Sequence, residues 1–214
     1  MRKVAIIIAG FVLMSSACFA DSIAVAPVDP LNVVSGPTQN FTFGWRFTVT
    51  SPVTITELGY YDPNAKGKLT SNHDVGIFAS DGSLLLSTTI TAGKYTTVDG
   101  FAFVTVPSFT LADGTYEIGA DSFDSKDLFI FSASSLSPIP QITLGETGLF
   151  TLGSTFGFSF PIIPNQAGAT YMGPDFEVVS TTAVPESSSF SMLICSVIFF
   201  AFAAFAIRRK PVRA

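Results

Sequence analysis

The residues that could perform chemistry are few, because the chain contains one histidine and two cysteines. His73 is followed by Asp74, and a Ser-His-Asp triad would need this carboxylate to orient the imidazole. Neighbouring residues of a strand point to opposite faces, so Asp74 is poorly placed for that role. No serine lies in a Gly-x-Ser-x-Gly elbow. We therefore expect no catalytic residue and no enzyme, and we predict that His73 is a loop-end histidine with local hydrogen bonds.

A second group of candidates is acidic and could bind a cation. The stretch that starts at Asp62 has oxygen ligands at positions one and three and glycine at position six, as in an EF-hand calcium loop. Lys66 at position five and His73 at position twelve exclude a true EF-hand. A looser calcium site formed by Asp62, Asn64 and Asp74 stays open. The leading expectation is a solvated loop, with no metal and no other cofactor.

Three further carboxylates, Asp121, Asp124 and Asp127, recur every third residue in a serine-rich stretch. They could gather a calcium ion, but we expect them to cover a solvent-facing loop. A polysaccharide hydrolase needs two carboxyl groups roughly 5–10 Å apart across a cleft. Residues 21–183 contain fifteen acidic side chains, so some such pair is expected by chance. The number of carboxyl groups therefore does not decide whether the protein is a hydrolase.

Aromatic side chains could form a platform on which sugar rings stack. The candidates are Trp45, Tyr60, Tyr61, Tyr95, Tyr116 and Tyr171. Trp45 shares a face with several phenylalanines, and we expect it in the core. Tyr60 and Tyr61 are adjacent in a predicted strand and point to opposite faces, so one of them could be exposed.

The elements that must position these residues are strands. From Phe41 to Val49 aromatic and β-branched residues alternate with threonine, glycine and arginine, which predicts a half-buried strand. Similar short runs follow as far as Val179, separated by Gly, Pro, Asp and Ser. No part shows a long helical period. The fold class predicted is all-β, an antiparallel β-sandwich of jelly-roll or immunoglobulin-like type, with a closed barrel as the second choice.

Some finer expectations also follow from turn and breaker residues. Residues 21–40 read as an exposed lead-in with at most one short edge strand. Leu84 to Ile90 should pair back on the strand before the Asp81-Gly82 turn. Pro107 should end a strand that starts at Phe101. The segments on either side of the Asp113-Gly114 turn should form another hairpin.

The two ends of the chain predict export. Residues 1–20 have a charged start, an apolar middle and small residues before Asp21, as in a secretory signal peptide. Lipoprotein processing at Cys18 is the alternative. Residues 21–183 then form one domain with five cations against fifteen acids, a net charge of −10. Such a surface repels nucleic acid and anionic lipid. This domain contains no cysteine, so disulfides cannot stabilise it.

The C-terminal stretch, residues 184–214, has three parts in a fixed order. Val184, Pro185 and Glu186 come first, and an uncharged apolar segment of 18 residues follows at 190–207. As a helix it would be roughly 27 Å long, close to the ~30 Å hydrocarbon core of a bilayer. The basic tail at 208–214 then contains Arg208, Arg209 and Lys210. Basic residues favour the cytoplasmic side, so the pattern predicts a transmembrane helix with its C-terminus inside.

This three-part tail resembles the PEP-CTERM sorting signal of Gram-negative bacteria over about the last 30 residues. The resemblance implies that an exosortase, a membrane transpeptidase-like enzyme, recognises Pro185 and Glu186 and removes the tail. The protein would then pass to the cell surface or extracellular polymer. Ser187 stands where the family usually has proline. The implied partners are the exosortase, the secretion machinery and, before processing, the inner membrane.

A second resemblance covers about 80 residues between Gly44 and Ala120. These residues are similar to a domain of unknown function found in bacterial exported proteins, whose members often carry the same sorting tail. The matching segments are Gly44–Val49, Leu58–Asp62, His73–Phe78, Leu84-Leu85 and Tyr116–Ala120. The resemblance implies a β-sandwich and supplies no active-site residue.

The sequence therefore favours an exported cell-surface or extracellular-matrix protein with a structural or adhesive role, as in a biofilm matrix. One alternative is a carbohydrate-binding module for extracellular polysaccharide, with or without calcium. Another is a polysaccharide-active hydrolase.

Overall fold

The structure is a computed structural model that describes residues 21–35, 41–63, 69–122, 126–152, 158–164 and 170–179. Within these ranges the chain forms strands and turns and no helix. The strands, in chain order, are β1 (Asp21–Ile23), β2 (Val25–Ser35), β3 (Phe41–Val49), β4 (Val53–Tyr61), β5 (His73–Ala79), β6 (Leu84–Ile90), β7 (Thr97–Val98), β8 (Phe101–Leu111), β9 (Gly114–Asp121), β10 (Leu128–Pro138), β11 (Ile142–Leu144), β12 (Leu149–Leu152), β13 (Ile163–Pro164) and β14 (Pro174–Val179).

The strands pair in antiparallel fashion in three sheets. A five-stranded sheet has the order β1-β14-β4-β8-β7, and β2 pairs with β10 in a two-stranded sheet. A seven-stranded sheet has the order β13-β12-β3-β9-β5-β6, with β11 also paired to β3. This arrangement confirms the prediction of an all-β fold built from antiparallel sheets, and it is sandwich-like.

The aromatic face of β3 joins the two large sheets, as its alternating pattern predicts, but the opposite face is also buried at Thr42 and Gly44, so the strand is more than half-buried. Trp45 and Phe47 are fully buried and pack on Phe176 of β14, with ring centroids 6.0 and 5.2 Å apart. The Trp45 indole Nε1 donates a hydrogen bond of 2.9 Å to the Pro174 carbonyl oxygen. The core position expected for Trp45 is therefore confirmed. These large rings are buried, and the one polar atom among them has a hydrogen-bond partner. Both features stabilise the packing of the two sheets against each other.

The N-terminal segment is more regular than its proline content predicts. β1 pairs with β14, and β2 is eleven residues long and pairs along β10. The prediction of an exposed lead-in with at most one short edge strand is wrong for residues 21–35, and residues 36–40 lie outside the described part of the chain. Among the described strands β2 pairs with β10 alone, and such edge strands are where proline is tolerated in a sheet.

β8 also departs from the turn-based expectations. It continues through Pro107 to Leu111, because the ladder with β4 skips from Glu57 opposite Thr105 to Ile55 opposite Phe109. The proline lies in this irregularity, where an unpaired residue is tolerated. β8 pairs with β4 and β7, whereas β9 pairs with β3 and β5. The hairpin predicted between them is therefore wrong, since the turn carries the chain from one sheet to the other.

Residues 158–164 cross one face of the seven-stranded sheet and lie over two glycines, Gly119 and Gly76. Gly119 of β9 lies opposite Gly76 of β5. A Cβ atom at Gly119 would lie 3.2 Å from the Pro161 ring, and one at Gly76 would lie 3.0 Å from Phe158. Larger residues at these glycines would push residues 158–164 away from the sheet.

Candidate functional site

His73 opens β5 and is fully buried. Its ring stacks on the Tyr60 ring, with centroids 3.7 Å apart and planes 9° from parallel. Its Nδ1 atom lies 2.9 Å from the Asp121 carbonyl oxygen, and Nε2 lies 3.0 Å from an Asp127 carboxylate oxygen. These partners are 48 and 54 residues away along the chain. The prediction of a loop-end histidine with local hydrogen bonds is therefore wrong.

Both ring nitrogens of His73 thus face acceptors. A backbone carbonyl oxygen can only accept a hydrogen bond, and an ionised carboxylate can only accept one as well. The imidazolium form, in which both nitrogens carry a proton, is the form that satisfies both contacts. In that form His73 and Asp127 make an ion pair inside the protein, with the Tyr60 ring stacked on the imidazole.

Asp127 is the centre of this network. Its carboxylate accepts hydrogen bonds from the Thr70 N–H at 2.8 Å, the Thr70 hydroxyl at 2.9 Å and the Ser71 N–H at 2.9 Å, besides the contact with His73. Burial acts to raise the pKa of Asp127, but the hydrogen bonds from His73, Thr70 and Ser71 outweigh it and hold that pKa below its ordinary value. The group is a carboxylate at neutral pH.

Asp121 behaves in the opposite way. Burial, with a smaller contribution from the nearby Asp74 carboxylate, raises the pKa of Asp121 to about 6. A hydrogen bond of 2.8 Å from the Asp74 N–H and the charge of His73 oppose this rise without cancelling it. Asp121 and Asp127 both contact His73, but their surroundings shift their pKa values in opposite directions.

Asp121 and Asp127 are 4% and 7% exposed. The prediction that they cover a solvent-facing loop is wrong for both, while Asp124 lies outside the described residues. Their spacing in the sequence singled them out, but nothing local showed that a histidine lies between them. The same limit applies to Thr70 and Ser71, which no motif marked.

Next to this network lies an open surface cavity of about 350 Å³. Its lining residues are Ser71, Asn72, Asp74, Thr89 and Asp121. The lining carries two carboxylates, one amide and two hydroxyls. Two internal hydrogen bonds shape it, from the Thr89 hydroxyl to Asp74 and from the Ala92 N–H to the Asn72 amide oxygen. Such a surface suits a ligand rich in hydroxyl groups, which can donate to carboxylates and accept from an amide.

Asp74 lies on this cavity and not against His73. Its carboxylate accepts from Thr89 at 2.5 Å on the neighbouring strand β6. The side chain points away from His73, as the alternation of a strand requires. The argument against a His73–Asp74 pair is therefore confirmed.

Of the six aromatic side chains that could form a sugar-binding platform, three are inside the protein, and Tyr95, Tyr116 and Tyr171 are half-buried. Trp45 and Tyr60 are fully buried, and Tyr61 is 4% exposed. The expectation that either Tyr60 or Tyr61 is exposed is wrong. Tyr61 is covered because it packs edge to face on Phe101 and lies under the turn at Gly100, where a Cβ would come within 3.1 Å of its ring.

The three candidate calcium ligands are only partly described. Asp62 follows β4, is buried, and donates its N–H to the Gly100 carbonyl oxygen at 2.7 Å. Asp74 lines the cavity, and Asn64 lies outside the described residues. Within the described ranges, no group of three or more His, Cys, Asp or Glu side chains is arranged to hold a metal ion. The calcium site stays a prediction.

The predicted sorting signal and the predicted signal peptide lie outside the described residues. They comprise the signal peptide predicted at 1–20, the motif of Val184, Pro185 and Glu186, the apolar segment 190–207 and the basic residues Arg208, Arg209 and Lys210. In the part of the chain that is described, no helix is long and apolar enough to cross a membrane.

Comparison with known proteins gives no relative from which a function could be transferred. No protein-family model matches the chain, and no curated protein is significantly similar to it. The two family resemblances noted in the sequence therefore stay predictions.

Replacing Asp127 by alanine tests the buried contact with His73. Asp127→Ala leaves the His73 Nε2 atom and two backbone N–H groups without their partner. We expect a loss of about 3–5 kcal/mol in the free energy of unfolding, measured by urea denaturation. Asp113→Ala, in an exposed turn, is the matched control and should stay within about 0.5 kcal/mol of the parent protein. Equal stability of the two variants would contradict the network described here.

The raised pKa of Asp121 predicts a stability that increases on mild acidification. Its folded pKa of about 6 lies above the unfolded value of about 3.9, so the folded state binds more protons between these values. This contribution is present at low pH and is lost as pH rises through about 6. Lowering the pH from about 7 to about 5 should add about 1 kcal/mol to the free energy of unfolding.

Asp121→Asn mimics the protonated form and serves as the comparison. Its amide oxygen can still accept from the Asp74 N–H. The variant should be more stable than the parent protein at neutral pH, and the difference should shrink towards pH 5 in thermal unfolding scans. A difference that does not change with pH would show that Asp121 does not titrate in this range.

Proposed function

We propose that the chain is an exported protein with a structural or adhesive role at the cell surface or in the extracellular matrix of a Gram-negative bacterium. The observation that carries the proposal is the pairing of β1 with β14, with Asp21 opposite Val179. The proposed signal cut comes directly before Asp21, and the proposed sorting motif starts at Val184, five residues after Val179. Removal of both ends would leave every described strand intact.

A structural role is supported by what the reactive side chains contact. The one histidine of the chain is fully buried and makes two long-range hydrogen bonds, and Asp127 accepts four hydrogen bonds from neighbouring groups. These contacts hold loops and strands together. A β-sandwich of jelly-roll or immunoglobulin-like type, closed by such contacts and by an aromatic core, would resist unfolding outside the cell without disulfides.

The proposed export and sorting steps imply which partners the protein has and where it is located. The N-terminal signal would bring the chain to the secretion machinery, and residues 190–207 would hold it in the inner membrane with Arg208, Arg209 and Lys210 on the cytoplasmic side. An exosortase-type enzyme would then act at Pro185 and Glu186. The strongly acidic domain disfavours nucleic acid as a partner.

The intact mass of the protein from its native host tests this proposal. We expect a species that begins at Asp21 and ends near Glu186, found with the outer surface or the extracellular polymer. Replacing both Pro185 and Glu186 by alanine should leave the tail in place and retain the protein in the inner membrane. The matched variant Ser187→Pro restores the family's usual residue and should be processed at least as completely. Recovery of an unprocessed parent chain would overturn the sorting proposal.

The surface cavity beside the His73 network favours a second candidate, binding of extracellular polysaccharide. Its carboxylate, amide and hydroxyl groups match the hydroxyls of a sugar. Calcium could strengthen such binding through Asp74, which lines the cavity and is one of the candidate ligands of the loop that starts at Asp62.

A glycan screen of the exported protein, with and without calcium, tests the second candidate. We expect that Asn72→Ala weakens the binding of any recognised glycan by about tenfold, the loss of about 1.4 kcal/mol, while Asn32→Ala in β2 has no effect. Release of shortened sugars during the same incubation would indicate the hydrolase alternative. No binding to any glycan would exclude the carbohydrate-binding candidate.

A further inference from the structure

Strand β6, Leu84–Ile90, forms one edge of the seven-stranded sheet. Among the described residues it pairs with β5 on one side and with no strand on the other. Its seven residues include no charged residue and no proline. Leu84 at its start is 49% exposed, which is high for a large apolar side chain. A long, uncharged edge of this kind presents unpaired N–H and C=O groups to any strand that can dock on it.

The other sheet edges of the described structure carry features that discourage pairing. β1 has three residues, and β7 and β13 have two residues each. β2 contains Pro27 and Asp29, and its ladder with β10 shifts register twice. Short strands, proline, charge and irregular ladders are the usual protections of a sheet edge. β6 is longer than β1, β7 and β13 and has neither charge nor proline, and its ladder with β5 shifts register once, between Ile77 and Phe78.

We propose that β6 is a self-association edge, at which a second copy of the chain adds its own β6 in antiparallel orientation. The two-fold axis would pass near Ser87, with Leu84 of each copy opposite Ile90 of the other. The two seven-stranded sheets would become one continuous sheet. The inference deepens the proposed structural role and rests on it for its biological meaning, since a protein that pairs with itself can hold a matrix together.

Charge favours a second copy as the occupant. The predicted domain carries a net charge of −10, so two copies repel each other over most of their surfaces. Strand β6 is uncharged and does not add to this repulsion, and the residues that flank its two ends have opposite charges. Asp81 precedes the strand and Lys94 follows it, both exposed. Antiparallel pairing about Ser87 brings Asp81 of each copy to the end where Lys94 of the other copy lies.

Lys94 makes no ion pair with another described residue, so it is available for such a contact. The Asp81 carboxylate is held in place by the Ser83 N–H at 2.9 Å and the Ser83 hydroxyl at 2.6 Å, both through Oδ1. Its second oxygen can accept from a partner. Two such contacts, related by the two-fold axis, would fix the register of the added strand.

Sedimentation of the exported chain over a range of concentrations tests the proposal. We expect a monomer–dimer equilibrium that Ser87→Lys weakens by about tenfold or more, because the two-fold axis places two cations directly opposite each other. Ser108→Lys is the matched control, since Ser108 is an exposed serine in β8 of the other large sheet and the change in net charge is the same. A parent protein that stays monomeric at every concentration, or equal weakening by both variants, would overturn the proposal.

A charge exchange tests the register. Lys94→Glu should weaken the dimer by placing two acids at each end of the paired strands, and the double variant Asp81→Lys, Lys94→Glu should restore it. Restoration would be hard to obtain from a structural defect, because Asp81→Lys also removes the acceptor of the Ser83 contacts. A double variant that dimerises no better than Lys94→Glu alone would overturn the proposed register.

Cross-linking gives a readout that does not depend on affinity. Residues 21–183 contain no cysteine, so one introduced thiol reports on one position. Ser87→Cys should give a covalent dimer on mild oxidation, and Ser108→Cys should give none at the same concentration. Failure of self-association is distinguishable from failure of the proposed export, because the first is measured on the purified chain and the second by its mass and location in the host.

Discussion

The buried hydrogen bond between His73 and Asp127 is the contact on which much of the described structure depends. Asp127 fixes the backbone at Thr70, directly before β5, and His73 connects β5 to β9 through the Asp121 carbonyl oxygen. The stacked ring of Tyr60 adds β4 from the other large sheet. A domain without disulfides needs such long-range links. A buried polar network whose donors and acceptors are satisfied supplies one with a directionality that apolar packing lacks.

The elements of this fold could be predicted where the signal is local. The alternation from Phe41 to Val49 specifies β3, and the Asp81-Gly82 turn specifies the hairpin of β5 and β6. The errors concern which strands are neighbours. The turn at Asp113-Gly114 looks like a hairpin turn, yet it connects different sheets, because the choice of partner for β8 depends on β4, about fifty residues earlier. Local residues carry no information on that choice.

The sequence could not predict the candidate site, because the site also depends on contacts between residues far apart in the chain. Whether an aspartate is solvated or buried depends on what folds over it, and the spacing of Asp121 and Asp127 fits both outcomes. The two differ in proton affinity although both contact His73, since Asp127 receives several hydrogen bonds while Asp121 lies beside the Asp74 carboxylate. Their separate environments arise only when residues far apart in the chain meet.

The cavity and the free edge share strand β6. Thr89 of β6 donates to Asp74 in the cavity lining, and the same strand would receive the second copy. A strand added at that edge would extend the sheet beside the cavity and hold Thr89 more firmly, because the backbone on both sides of it would then be paired. Ligand binding and self-association would therefore favour each other, as linkage requires when one event orders a group that the other uses. A matrix protein built in this way would bind polymer best where its own copies are most concentrated.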